Sequence, residues 1–511
     1  MGGRLVSEHP GAEAVPGVRP GSRVLVAGLA VSGVAAATAL LDRGMDVVVV
    51  DAAPETAVGA QAQRVLRAGG RVVLGSDATT ALPGGVDLVV CSPGWAPSAP
   101  ILVDAVRRGI PVWGEAELAW RLRGPGAAAW LVVTGTNGKT TTTRMLESML
   151  RADGRHAVAA GNIGLPLVSV VTGPERYDTL AVELSSFQLH TAHTTRPQAA
   201  AVLNVAADHA DWHGSLEAYA QAKGRAYDRC QVAAVHNIDD PTTGELARLA
   251  ALGPTCRRVG FTLGAPDPGS VGVADGVLVD RAFGGPDGGA VELCPVTQVQ
   301  PAAPHNTANA LAAAALARAS GVAPDSVAAG LRAFSPEPHR MATVGTVDGV
   351  RYVDDSKATN PHAAAASLSA CSSVVWVAGG LAKGASFDDV VRAHRDRLRG
   401  VVLLGRDRDR IATALARHAP TIPVVEVLTF ETDDVSLMDA VVRAAHRMAR
   451  PGDAVLLAPA CASWDQFRDY SDRGTQFAQA VQRLTATQPL TATQRLTATQ
   501  PPTATQRQQA P

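Results

Sequence analysis

Short, wholly apolar runs alternate with longer amphipathic or Ala-rich stretches along most of this chain, and glycine or proline marks the joins. Residues 23–27 read as a strand, 33–43 as a helix and 47–50 as a second strand ending at Asp51, which makes a βαβ start. Strand-like runs recur at 71–74 and 87–90, the latter leading into Ser92, Pro93 and Gly94. Gly124-Pro125-Gly126 predicts a boundary. A second unit opens with a strand at 130–133, a glycine loop and a helix from about Lys139, and continues to near Ala333. Ser335-Pro336-Glu337-Pro338 marks the next join. A third unit follows, with strands at 374–378, 401–404, 424–427 and 454–457. This alternation predicts an α/β protein of three domains with largely parallel sheets. The expected bounds are a loose extension at 1–20, domains at 21–125, 126–335 and 336–483, and a tail at 484–511.

Two segments need a separate reading. Residues 24–41 carry no charge for 18 positions, close to the shortest helix that spans a bilayer. Gly28, Ser32 and Gly33 interrupt that run where a strand would turn into a helix, and Asp42 ends it. A buried strand, turn and helix is therefore expected, with no stable membrane insertion. From Leu484 to Arg507 the hexapeptides LTATQP, LTATQR, LTATQP and PTATQR follow one another. Thr, Gln and Pro with so little apolar content predict a disordered tail, a partner-binding role being the alternative.

Composition narrows the function classes. Aromatics make up 4% of the chain and hydrophobic residues 46%, so the cores must be built mainly from Ala, Val and Leu. A net charge of −1 gives no electrostatic case for nucleic acid or an anionic membrane. Six dispersed cysteines form neither a CxxC pair nor a disulfide framework, and no signal peptide is visible, so a cytoplasmic location is expected. There are four lysines against 42 arginines. Lys139, Lys223, Lys357 and Lys383 each fall in a segment that reads as chemistry, where a compact ammonium, or an amine able to lose its proton, has no guanidinium substitute.

The strongest such segment is Thr134-Gly135-Thr136-Asn137-Gly138-Lys139-Thr140-Thr141, between a strand and a helix. Backbone N–H groups there can surround phosphate oxygens, with the helix N-terminus adding positive potential. Lys139 supplies a point charge to the β- and γ-phosphates, and the Thr140 hydroxyl can ligate Mg²⁺. Val133 stands where the common GxxxxGK[ST] loop has its first glycine. Downstream, an apolar strand delivers Glu183, a carboxylate suited to a hard cation beside those phosphates. His209 and Lys223 form no metal motif by spacing alone. The Gly28–Gly33 turn looks like a shortened dinucleotide fingerprint, which by itself would suggest a nicotinamide-dependent oxidoreductase. That reading leaves the phosphate loop unexplained.

Taken together these segments resemble the Mur ligase family, the ATP-dependent enzymes that add amino acids to the peptidoglycan precursor. The resemblance covers roughly residues 21–483. It rests on Gly135–Thr140, on ELSSFQL beginning at Glu183, on Asp208-His209, on Lys223 in AYAQAKGRAY and on His305-Asn306-Thr307-Ala308-Asn309. Asp354-Asp355-Ser356-Lys357-Ala358-Thr359-Asn360-Pro361 is similar to the D-glutamate-adding members, as are Gly379-Gly380 with Lys383 and Pro459-Ala460-Cys461-Ala462-Ser463. Another amino-acid specificity within the family is the nearest alternative.

The resemblance implies a Rossmann-like N-terminal domain that takes the UDP of UDP-N-acetylmuramoyl-L-alanine, a P-loop ATPase-like central domain and a Rossmann-like C-terminal domain for D-glutamate. It implies a monomer using ATP and two Mg²⁺ sites, with Lys223 carbamylated. Lys139, Glu183, His209, Lys223 and Lys357 would be catalytic, and Thr140, Glu183, His209 and carbamylated Lys223 would hold the metals. Gly135 to Thr141 with Asn309, Arg340 and Asp355 would bind ATP. Val31, Ser32, Gly33, Asp51, Ser92, Pro93, Gly94 and Asn162 would bind the UDP substrate. Thr359, Lys383, Ser463, Trp464 and Tyr470 would bind D-glutamate. The chain departs from the family at Trp464 and Tyr470, where Leu and Phe are expected, and at Ala52 and Ala53, where polar residues are expected.

Overall fold

The computed structural model describes residues 18–284, 289–428 and 436–486. Most of the expected extension and of the hexapeptide tail lies outside these residues. The chain divides into two compact units, 1–336 and 337–511.

The first unit holds two sheets. Strands β1 (Arg23–Ala27), β2 (Asp46–Asp51), β3 (Arg71–Leu74), β4 (Leu88–Cys91) and β5 (Val112–Gly114) form a parallel sheet in the order β3-β2-β1-β4-β5. The order reverses between β1 and β4, so the turns that leave these two strands open onto one crevice. The uncharged stretch is split as expected: β1, a glycine turn, then the helix Val31–Leu41. Among the described residues no helix is long and apolar enough to cross a membrane.

The second sheet contains β6 (Ala129–Thr134), β7 (Ala157–Gly161), β8 (Thr179–Glu183), β9 (Ala199–Val202), β10 (Ala233–Asn237), β11 (Arg257–Phe261), β12 (Ser270–Ala274), β13 (Val277–Asp280) and β14 (Val291–Pro295). Its order is β14-β13-β12-β11-β10-β9-β6-β8-β7. The strands from β7 to β11 run parallel, but β12, β13 and β14 form an antiparallel meander. Neither this meander nor the Ala-rich strands β7 and β9 stand out in the sequence. Alanine is disfavoured in strands, and here burial on both faces overrides that preference. The Ala-rich helix Pro304–Ala319 packs on this sheet with Ala310 to Ala317 wholly buried, so a core poor in aromatics closes through small side chains.

The second unit is one sheet of β15 (Ala342–Val347), β16 (Val350–Asp354), β17 (Val374–Gly379), β18 (Leu398–Leu404), β19 (Val424–Glu426) and β20 (Ala454–Leu457), in the order β15-β16-β20-β17-β18-β19. Only the β15–β16 hairpin is antiparallel. β20 returns between β16 and β17, so the loops leaving all three strands converge. The closing helix, Tyr470–Ala486, runs two residues past Leu484 into the first hexapeptide, because Leu484 packs against the core.

Candidate active site

The phosphate loop leaves β6, between β8 and β9. Gly138, at φ 83°, precedes the helix Lys139–Ala152, and a Cβ there would stand 2.3 Å from Asn309 Oδ1. The turn of the Pro304–Ala319 helix that carries Asn309 therefore lies against the loop. Asn204, just past β9, fastens the loop from the other side: its Oδ1 accepts from Asn137 N at 2.8 Å, and its Nδ2 donates to Asn137 O at 3.1 Å. Thr136, Thr140 and Thr141 are buried. Lys139 Nζ folds back on the loop, donating to Gly135 O at 2.9 Å and to Thr136 O at 3.0 Å.

Lys223 comes to the same carbonyl from the helix Leu216–Gly224 and donates to Gly135 O at 2.8 Å. It is 1% exposed and lies 4.3 Å from the centroid of the Tyr219 ring, whose hydroxyl meets Thr136 Oγ1 at 3.1 Å. Burial, and then the neighbouring Lys139 ammonium, hold the Lys223 amine well below the usual lysine range, against the pull of Asp208 and Glu183. Sequence reasoning missed Tyr219 and Asn204. Tyr219 carries a signal that was available, since it lies four residues before Lys223 on one helix face.

β8 brings Glu183 to its end, in register with Val133 and Gly161. Asn162 Nδ2 donates to Glu183 Oε1 at 2.7 Å, and Asn162 N to Glu183 O at 2.8 Å. Glu183 Oε2 is buried without a hydrogen-bond partner. A lone buried carboxylate oxygen next to a phosphate loop is what a hard cation requires, so Glu183 and Thr140 fit Mg²⁺. His209, with φ 52°, packs edge-on against Phe187 at 4.8 Å and approaches Tyr219 at 6.2 Å. Its Nε2 lies 3.6 Å from Asp208 Oδ2. Among the described residues no group of three or more His, Cys, Asp or Glu is placed to hold a metal.

At the first sheet's crevice the Gly28 and Ser92 turns meet. A Cβ on Gly28 would lie 2.6 Å from Ser92 Oγ, and one on Gly33 only 1.9 Å from Gly28 O. Ser92 Oγ is buried and unpaired, which suits a ligand hydroxyl or phosphate. Asp51 instead serves the backbone, accepting from Leu29 N at 2.7 Å and Ala53 N at 2.8 Å. Val31 is exposed. A cavity of about 240 Å³ adjoins Ser92 and Pro93, walled by Trp95, Phe187 and Trp212.

In the second unit Lys383 and Trp464 pair, with the ammonium 4.6 Å from the ring centroid, and Lys357 lies 3.7 Å from that of Tyr470. Two of the departures from the family pattern, Trp464 and Tyr470, thus lie over candidate lysines. Ser463 is buried, and Thr359 N bonds Lys357 O at 2.8 Å. Arg340 Nε stands 3.7 Å from Glu337. Asp355 is committed internally, to Ser367 Oγ and Met341 N, and burial pushes its carboxyl up to about 6. Sequence reasoning also missed Arg473, which is wholly buried and clamps Ser356 and Cys461 O, because one arginine among so many carries no signal.

Comparison with known proteins gives the family. Family models match in three places: "Mur ligase MurD-like, N-terminal domain" at 22–114, "Mur ligase middle domain" at 133–317 and "Mur ligase, glutamate ligase domain" at 339–461. UDP-N-acetylmuramoylalanine--D-glutamate ligase of Streptomyces avermitilis is 56% identical over 91% of this chain and 99% of its own length. The protein of that name from Thermobifida fusca is 54% identical, with the same coverage. Among solved structures, a pseudomurein peptide ligase type C from Methanothermus fervidus matches with a TM-score of 0.55 at 16% identity, covering 91% of this chain and 100% of its own. The MurF ligase of Thermotoga maritima, solved with ADP, matches with 0.53 at 18%, covering 86% and 96%. These two share the fold. With relatives this similar along nearly its whole length, and with Lys139 and Lys223 both donating to Gly135 O of its phosphate loop, the chain belongs to the Mur ligase family.

Proposed function

We propose that this protein joins D-glutamate to UDP-N-acetylmuramoyl-L-alanine at the expense of ATP, giving ADP and phosphate, in peptidoglycan precursor synthesis. The relatives that carry this name are more than half identical to it across nearly the whole chain. The observation that carries the chemistry is the meeting of Lys139, Lys223 and the unpaired Glu183 oxygen around the phosphate loop.

A carboxylate is a poor electrophile, so its oxygen first takes the γ-phosphoryl group of ATP. The amine of D-glutamate then attacks the acyl phosphate, and phosphate leaves. Two anions approach one another in the first step, so the enzyme must place positive charge between them. Lys139 exchanges Gly135 O and Thr136 O for phosphate oxygens, and the loop amides of residues 135–141 take the rest. Asn162 holds the Glu183 carboxylate in place through Oε1, leaving Oε2 for the cation. Thr140 and Glu183 would hold one Mg²⁺, and His209 with Lys223 a second. Bound there, the ions would neutralise phosphate charge and polarise the reacting oxygens. Lys223 suits carbamylation because its amine is held below the usual range, and a neutral amine is the form that adds CO₂.

The resemblance extends the nucleotide reading to Asn309 in the first unit and to Arg340 and Asp355 in the second, and would make Lys357 catalytic. Ser32, Gly33, Ser92 and Asn162 serve the UDP substrate, and Thr359, Lys383 and Ser463 serve D-glutamate. The test is incubation with ATP, UDP-N-acetylmuramoyl-L-alanine and D-glutamate, L-glutamate or L-lysine, reading phosphate release and product mass. Release with D-glutamate alone is expected. Equal turnover with an L-amino acid overturns the specificity, and ATP-independent oxidation of NADH overturns the reaction class.

A further inference from the structure

Lys383 and Trp464 lie on two loops that the sheet forces together. β17 and β20 are parallel neighbours, and the loops leaving their C-terminal ends are pinned by reciprocal backbone bonds between Leu381 and Ala462 at 2.9 and 3.0 Å. Asp407 Oδ2 accepts from Ala382 N at 2.8 Å and fixes the residue before the lysine. Lys383 itself sits in the left-handed region at φ 48°, so its backbone leaves the loop in a defined direction. Its ammonium meets the Trp464 ring at 4.6 Å. Trp464 is 66% exposed, the one aromatic among the exposed large hydrophobic residues described. An indole left this far out of the core adds little to packing. Its chemically distinctive contact is with the cation.

We propose that Trp464 is a positioning residue that holds the Lys383 ammonium, by a cation–π contact, where it receives a carboxylate of the amino-acid substrate. The proposal rests on the reading of Lys383 as that carboxylate's partner. Lysine has a long, rotamer-rich stem, and a ring against one side of the ammonium removes much of that freedom before the substrate arrives. The ammonium keeps donors on its other side, so the carboxylate and the ring are held at once. A leucine supplies apolar bulk but no negative ring face, and so cannot do this.

The test compares five proteins: wild type, Trp464→Leu, Trp464→Phe, Lys383→Ala and Lys383→Ala combined with Trp464→Leu. Trp464→Leu raises KM for D-glutamate about two- to five-fold, the factor to which an exposed cation–π contact converts. It leaves kcat within about two-fold, and KM for ATP and for the muramoyl substrate unchanged. Trp464→Phe, which keeps a ring face, recovers most of the effect, and Trp464→Leu adds nothing once Lys383 is alanine. Wild-type KM in Trp464→Leu, equal effects of Leu and Phe, or an undiminished effect in the Lys383→Ala background overturns the proposal. If wild type turns over only with another amino acid, the D-glutamate reading falls, and the same comparison run on that amino acid decides the role of Trp464.

Discussion

Glu115 gives a pH effect near neutrality that can be worked out from this fold. It opens the helix Glu115–Arg121, which follows β5, and is 2% exposed. Its Oε1 accepts from Val168 N at 2.7 Å, at the start of the helix Leu167–Thr172 against the second sheet. Burial pushes its carboxyl from 4.5 to about 7, against the downward pull of the Val168 and Leu167 amides. Between those values the folded chain holds a proton that the unfolded chain has lost. Stability from this group is therefore complete below about pH 4.5 and is lost as pH rises through about 7. At about 1.4 kcal/mol per pH unit the gap amounts to ~3 kcal/mol. Glu115→Gln keeps an oxygen for the amides and removes the titration. Paired urea melts of wild type and variant at pH 5, 6, 7 and 8 cancel the other titrating groups. The stability of wild type relative to the variant is expected to fall by ~3 kcal/mol across that range. A flat difference refutes the reasoning. A difference that rises with pH would mean that the two amides outweigh burial and keep the carboxylate ionised.

Three further outcomes follow from the site and its supports. Lys223→Arg loses on the order of 100-fold or more in kcat, as Lys223→Ala does, because a guanidinium cannot add CO₂ and leaves a cation where the proposed carbamate would supply an oxygen ligand. Acetate restores part of the activity to Lys223→Ala only, and near-normal turnover of Lys223→Arg refutes the carbamate. Gly33→Ala forces a Cβ to 1.9 Å from Gly28 O, a backbone atom with nowhere to go, so destabilisation of ~1–3 kcal/mol or more is expected in thermal melts. Arg473→Met leaves Ser356 O and Cys461 O without this donor, at roughly 1–3 kcal/mol each, and an unchanged denaturant midpoint would show that the clamp is idle.

The parts of this fold that could be read from sequence are those where apolar runs meet glycine. β1, the Gly28–Gly33 turn and the loop before Lys139 carry both signals at once, and their elements begin within a residue or two of where the pattern puts them. β7 carries only a run rich in small alanines before Gly161, and β9 meets no glycine at all. Their alanines are buried on both faces, which erases the two-residue period, and alanine favours helix when read alone. The site divides in the same way. Lys139, Glu183 and Lys223 stand out by residue type and motif. Asn204 acts through distances set only when β9 closes against the loop, whereas Tyr219 is legible only through its spacing from Lys223. The pairs Lys357–Tyr470 and Lys383–Trp464 join residues some 80 to 110 positions apart, beyond the reach of any local pattern.

The scarcity of lysine makes this protein its own probe. Amine-selective reagents, isotopic acylation or lysine-specific cleavage can act at only four side chains, and each lies in a segment assigned to nucleotide, metal, phosphate or amino acid. Lys223 is sealed beneath the loop while Lys139 lies along it, so the two should label at different rates although they share one carbonyl oxygen. Nucleotide drawing Lys139 off Gly135 O, CO₂ capping Lys223 and a carboxylate engaging Lys383 would each change one peptide in a digest. A single mass-spectrometric map taken along a substrate titration would then report the order in which the reactants arrive.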